Sequence, residues 1–233
     1  MCYREVDDNI MSFLVQLLRV NIWRTVSTNF KHLKWKDAVR LPIVICRGAR
    51  LDGTGGVIFN CPIKFGLLRV GSRSARIVDS RYERTLIYNE GTININGYTW
   101  IGVGCRLNVY KGAELHIGEN FKVTGRTTII CRKNIKIGAD CLFSWDIQIM
   151  DTDFHKILDK DGNQMNLDKD IVIGDHVWIG ARSTVLKGAC IPANSVVAAG
   201  SLFSGRKEEE NCIYAGMGKG LDIVKRNVRW SDT

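Results

Sequence analysis

From Ile173 onward an aliphatic or aromatic residue returns every six positions, at Ile173, Ile179, Val185, Ile191, Val197 and Phe203. Four positions after each of the first five stand Val177, Ser183, Ala189, Ser195 and Ser201, and the position just after the apolar one is often small, as at Gly174, Gly180 and Ala198. The same rule holds upstream at Ile117, Val123 and Ile129 and again at Ile137, Phe143 and Ile149, and the run starts with Ile95, Ile101 and Leu107. A period of six matches neither the 3.6 of a helix nor the alternation of a long strand. It matches a triangular prism in which each hexad forms one flat face and three hexads make a coil of roughly 18 residues. The apolar residue then points inward onto its counterparts in neighbouring coils, and each such burial contributes roughly 1.5–3 kcal/mol. Outward positions are free to be charged, as at Asp175, Arg182 and Lys187.

The period divides the chain. Residues 1–40 read as a helical N-terminal segment, 41–210 as the parallel β-prism, and 211–233 as a last partial coil and tail. Within 41–90 the pattern is irregular; Pro42–Cys46, Val57–Asn60 and Leu67–Gly71 are expected as strands of degenerate first coils, with Gly53, Gly55 and Gly56 at a turn. Ile10, Phe13, Leu14, Leu17, Leu18 and Ile22 fall at helical spacing. Gln16, Arg19, Asn21 and Arg24 interrupt that stretch too often for it to span a bilayer. An amphipathic helix is expected, packed on the body or a sister subunit, with attachment to a membrane surface as the alternative.

The net charge of +9, from 33 Lys and Arg against 24 Asp and Glu, suits an anionic partner. The basic residues are scattered and do not interleave with aromatics, so the pattern does not point to nucleic acid. The 8 cysteines contain no CxxC pair and follow no signal peptide; Cys105 and Cys141 occupy small inward positions. Reduced thiols in a cytoplasmic protein are the expectation.

After Ile149 the strict period would place His155, Asp161 and Leu167 inward, and 155–170 is rich in Lys, Asp, Asn and Gly. Such a segment cannot be buried as a coil. It is expected as a loop (155–172) extruded from the prism, with the coils resuming at Ile173, and long insertions into regular scaffolds usually carry function. At its root stands Asp151-Thr152-Asp153-Phe154-His155. An imidazole suits removal of a proton from a hydroxyl at neutral pH, and a neighbouring carboxylate can stabilise the imidazolium. His116 and His176 read as solvated or interfacial.

These features resemble the hexapeptide-repeat acyltransferase family, in its maltose, galactoside and capsular-polysaccharide O-acetyltransferase branch. The resemblance rests on the hexads, on Phe143-Ser144-Trp145-Asp146, on the run from Met150 to His155, and on Val177-Trp178-Ile179-Gly180, and it covers nearly the whole chain. It implies an all-β fold, a left-handed parallel β-helix of hexapeptide repeats with an N-terminal helix and an extruded loop. The left hand comes from the resemblance alone, since the general preference in crossovers is the opposite. It further implies a homotrimer and a coenzyme-A-dependent O-acetyltransferase that carries acetyl from acetyl-CoA to a sugar hydroxyl in surface-polysaccharide biosynthesis, without a metal. His155 would be the general base, oriented by Asp153, or else by Asp151 or Asp146. Trp145, Asp146 and Asp151 would meet the acceptor. Trp178, Gly180, Ala181, Ala199 and Ser204 would line the coenzyme, with Lys219 on a phosphate. The galactoside branch carries an acceptor-binding asparagine one coil before the histidine, where this chain has Thr124-Gly125-Arg126, and Met217-Gly218-Lys219-Gly220 replaces the family's Asn-Pro-Ala-Lys turn. Competing readings are N-acetylation of an amino sugar, a γ-carbonic-anhydrase-like zinc protein and a binding scaffold without chemistry.

Overall fold

The computed structural model describes residues 19–72, 78–79 and 81–231. It is a parallel β-helix of three faces. Face one is a nine-stranded sheet that starts at Ile43–Ile45, face two a seven-stranded sheet that starts at Ala49–Asp52, and face three a six-stranded sheet that starts at Gly56–Phe59. The chain visits the faces in that order, coil after coil, and every pairing between coils is parallel save the last, an antiparallel return of Asp222–Lys225 onto Ile213–Ala215. The winding is left-handed.

The hexad register is met residue by residue. Ile173, Ile179, Val185, Ile191, Val197 and Phe203 are buried, as are Ile95, Ile101 and Leu107 and the small-position residues Val177, Ser183, Ala189, Ser195 and Ser201. Pairing such as Val123 with Phe143, and Phe143 with Ile179, stacks like on like, rung over rung. Cys105 and Cys141 fill inward positions, and burial pushes both thiols up to about 12, which keeps them protonated and inert. The strands expected early in the chain are present at Ile43–Ile45, Gly56–Phe59 and Leu68–Val70; Ala49–Asp52, whose pattern is too short to stand out, is a fourth.

The corners explain which polar residues the repeat needs. Where face three turns into face one the chain takes a left-handed φ at Asn120, Asp140, His176, Asn194 and Asn211. Asn and Asp tolerate that region better than other residues with a side chain. They also bond along the corner, Asn120 donating to Asp140 at 2.7 Å. Gly180 meets a different demand: a Cβ there would lie 2.6 Å from the backbone nitrogen of Ala199 in the next coil.

Among the described residues the first helix, α1 (Ile22–His32), turns polar side chains inward. Its buried side chains are Thr25, Thr28 and Asn29, whereas Ile22 is 71% exposed and Trp23 86%. The reason is the open edge of face one. Asn29 donates to the Ile43 carbonyl and accepts from the Ile43 N–H, and Thr25 Oγ1 accepts from the Ile45 N–H at 3.0 Å. A sheet edge presents backbone polar groups that need partners, so the helix offers it polar side chains. Ile10, Phe13, Leu14, Leu17 and Leu18 lie outside the described residues. Among the described residues, no helix is long and apolar enough to cross a membrane.

Replacing Val185 or Ile191 by Asp buries an unpaired carboxylate in the stack, at a cost comparable with a domain's whole stability of about 5–15 kcal/mol. Neither variant should give soluble protein with a cooperative melt; recovery of such protein from either would refute the inward register.

Candidate active site

Face two ends its fifth rung with Gln148–Met150, and face three resumes at Ile171–Ile173, two residues before the expected restart. The intervening chain leaves the prism. Its departure is anchored by Asp151, which is wholly buried: Oδ1 accepts from the Arg132 N–H at 2.8 Å, and Oδ2 from those of Lys133 and Asn134 at 2.8 and 2.9 Å. This corrects the expectation that Asp151 meets the acceptor or orients His155. Its carboxylate stitches the loop root to the coil below.

The next residues turn the chain outward. Thr152 is buried, and its hydroxyl accepts from the Phe154 N–H at 3.0 Å. Phe154 adopts a φ of +60°, a conformation that costs a bulky residue energy and is held by its surroundings. Its ring meets Tyr110 edge-on at 6.1 Å, and the Arg132 guanidinium lies over both rings. His155 follows, exposed, with its N–H on the Asp153 carbonyl at 2.7 Å. It lines a cavity of about 450 Å³ together with Arg132, Lys156, Gln164, Asn166 and Asp168.

Asp153 does not touch the imidazole. Its carboxylate takes the ammonium of Lys187 at 2.5 Å and the amide of Asn166 at 2.8 Å. Those two donors, Lys187 foremost, hold it below the usual carboxylate range. Lys187 also donates to the carbonyls of Asn166 and Leu167, and Asn166 reaches the His155 carbonyl. The four groups close the loop root into a ring whose lysine comes from the next coil of face two. Sequence reasoning placed Lys187 only as an outward charge and did not find Asn166, because neither lies near the motif in the chain. No side chain among the described residues hydrogen-bonds the His155 ring.

The remaining expected residues gather elsewhere. Trp178 lies on face one, 37% exposed, and its indole N–H donates to Ser144 Oγ at 3.1 Å. Ala181 and the exposed Ala199 stand at the corner between faces one and two, with Trp145 and Asp146 one coil below Ala181, where the Trp145 carbonyl accepts from the Arg182 N–H. Gly180 is buried beneath that corner. Asp146 is paired with Arg126 through both oxygens, at 2.9 and 3.1 Å, so its carboxylate stabilises the corner rather than facing open solvent. Ser204 follows the last strand of face two, Leu202–Phe203, and Lys219 sits exposed in a 3₁₀ turn. Lys207, another basic residue of this region, donates to the Leu221 carbonyl. The tail adds a residue that the sequence did not reveal: Trp230 stacks on His176 with centroids 4.3 Å apart and stands 6.1 Å from Trp178. One chain therefore carries two half-sites on opposite edges of face two, Trp178 with its small residues on one and His155 on the other. Among the described residues, no three His, Cys, Asp or Glu side chains cluster to hold a metal.

Known proteins share this sequence and this fold. The chain is 31% identical over 160 residues to the Escherichia coli K12 protein assigned as the lipopolysaccharide biosynthesis O-acetyl transferase WbbJ, covering 65% of this chain and 80% of that one. It is 42% identical over 65 residues to the polysialic acid O-acetyltransferase of Neisseria meningitidis, which is 28% of this chain and 30% of the relative. With the polysialic acid O-acetyltransferase of Escherichia coli O1:K1 it shares 30% identity, over 53% of this chain and 40% of the relative. Among solved structures the polysialic-acid-specific acetyltransferase NeuO matches with a TM-score of 0.57 and 23% identity over 82% of both chains, a likeness of fold. No model of a known protein family matches the chain. The chain belongs to the hexapeptide-repeat O-acetyltransferases.

The clamp on Asp153 has a defined pH response. A carboxylate whose folded pKa is depressed contributes stability above its ordinary pKa, and that contribution is lost as pH falls to about 4 and below. Amide exchange within 155–170, normalised for intrinsic rate, should therefore be slow at pH 7 and faster at about pH 2, and Lys187→Met should be fast at both. An unchanged exchange pattern in Lys187→Met would show that the ring does not hold the loop. Separately, Asp151→Ala removes the acceptor of three part-buried N–H groups and should lower the melting temperature.

Proposed function

We propose that this protein transfers acetyl from acetyl-CoA to a hydroxyl of a surface-polysaccharide sugar, with His155 as general base. The observation that carries the reading is the local build of the loop root. A buried Asp151, a capped turn and a strained Phe154 project one unpartnered imidazole into a cavity large enough for a sugar. The reaction follows from that placement. An imidazole nitrogen takes the proton of the acceptor hydroxyl as its oxygen attacks the thioester carbonyl; the carbon–oxygen bond forms and the carbon–sulfur bond breaks. The departing thiolate then receives the proton from the imidazolium, and His155 returns to its neutral state. Asp153 acts on His155 through the backbone ring it makes with Lys187 and Asn166.

The coenzyme fits the other half-site. The half-exposed Trp178 indole and the small Ala181 and Ala199 leave a shallow track suited to the thin pantetheine arm, and the exposed Lys219 would serve a phosphate. Because the two half-sites lie on opposite edges of face two, the reading requires neighbouring copies, and a homotrimer would join the Trp178 edge of one to the His155 edge of the next. The outward Ile22, Val26 and Phe30, spaced four apart on α1 beside Trp23, support peripheral contact with the inner face of a membrane, where a cytoplasmic enzyme would meet a lipid-linked acceptor.

His155→Ala should lower acetyl transfer by about 10²–10⁴-fold with fold and oligomer intact, since the side chain packs against no core residue. Activity within tenfold of wild type would end this mechanism. Trp178→Ala should raise KM for acetyl-CoA with kcat little changed, because the ring meets the arm equally in ground and transition states; a fall in kcat alone would place the coenzyme elsewhere.

A further inference from the structure

A second concave site lies at the other end of the same face. Where α1 meets the first coils, a cavity of about 590 Å³ is lined by Arg24, Arg47, Arg50, Arg81, Arg84 and Arg106, with Glu83 as the one acidic residue among its described lining. The six arginines come from α1, from the turn and strand that follow Ile43–Ile45, from the segment before Thr85, and from the third strand of face two, so the fold, and no local run of sequence, assembles them. Three are partly committed: Arg24 donates to the Ala49 carbonyl, Arg50 pairs with Asp52, and Arg81 with Asp79. The exposed side chains of Arg47, Arg84 and Arg106 have no hydrogen-bond or ion-pair partner among the described residues. Unpaired guanidinium groups gathered in a hollow repel one another, and an arrangement of this kind is relieved by an anion that takes their forks in pairs.

The register ties this cleft to the catalytic edge. Arg50, Leu86, Arg106, Thr128 and Gln148 are successive outward rungs of face two, and Gln148 belongs to the strand that leads to His155. At about 4.8 Å per rung, Arg50 and Arg106 stand about 10 Å apart, and the strand of His155 lies about 10 Å further on. Charges spread over such a length fit a chain with repeated anionic groups better than a single small ion. Arg132 and Lys156 beside His155 continue the positive lining at the far end.

We propose that the arginine cleft is a binding site for a carboxylate-bearing polysaccharide, which holds one stretch of the acceptor chain while another reaches His155. The existence of an anion site rests on the cleft alone; its use by the acceptor rests on the acetyl-transfer reading above. A hollow whose basic lining spans successive rungs favours a polymer over a bilayer, which would meet the exposed apolar Ile22, Val26 and Phe30 of α1 instead.

Fluorescence anisotropy with a labelled oligogalacturonate decamer tests the site on the intact oligomer. Wild type should bind it, with binding that weakens as salt rises from about 50 to about 500 mM, and neutral maltodecaose should not compete. Arg47→Ala/Arg84→Ala/Arg106→Ala should weaken binding at least about tenfold at an unchanged melting temperature, while His155→Ala binds as wild type. Should the triple variant fail to melt cooperatively, Arg84→Glu, an exposed single change, carries the same test. Binding of the substituted proteins within about twofold of wild type, competition by maltodecaose, or binding only to phosphatidylglycerol vesicles would overturn the proposal. Retained activity in His155→Ala would refute the catalytic reading and leave the binding result standing, so the two failures are distinguishable.

Discussion

Everything in this molecule depends on parallel coils stacking at one fixed spacing. The backbone of each rung donates to the rung above, and the inward side chains fall on their own kind, Val123 on Phe143 on Ile179. Neither contribution is available to a single coil, whose inner face would stand open and whose edges would lack partners. The ends of the stack are accordingly the expensive places. The N-terminal end is closed by Thr25 and Asn29 of α1, and the C-terminal end of face one by the antiparallel return of Asp222–Lys225. Polar residues buried by the helix are thus the counterpart of the apolar residues buried by the prism.

The same rigidity makes a functional site possible. A scaffold that repeats can be interrupted at one corner without disturbing the coils on either side, provided the interruption is tied down. Asp151 satisfies three backbone donors of the coil beneath, and Lys187 reaches from the coil above to Asp153 and the loop carbonyls. His155 is held between two coils although it belongs to neither. The left-handed φ of Phe154 is braced by Tyr110, edge-on to its ring, and by the Arg132 guanidinium over it, both carried on other rungs.

The carboxylates around the histidine illustrate how residue type and role separate. Asp146, Asp151 and Asp153 are alike in sequence and were all candidates to orient His155. Burial sends Asp151 to the backbone, a corner arginine takes Asp146, and a lysine one coil away takes Asp153. None of the three bonds the imidazole; each instead ties down the backbone or a corner near it.

The sequence by itself determined the prism, its register and the place where it breaks, because burial in a stack demands the same kind of residue at each sixth place and a violation is visible at once. Inward Ile173 to Phe203, the loop after Met150 and the exposed His155 all follow from that local demand. What only the tertiary structure decided is which distant groups meet. Lys187 and Asp153 are neighbours because successive coils of face two bring them together, six arginines converge because α1 folds back over the first coils, and Trp178 and His155 part to opposite edges because the chain turns a corner between them. Spacing along a chain encodes the period of a repeat; adjacency across rungs depends on the length and path of everything between, and the hexad pattern carries no mark of it.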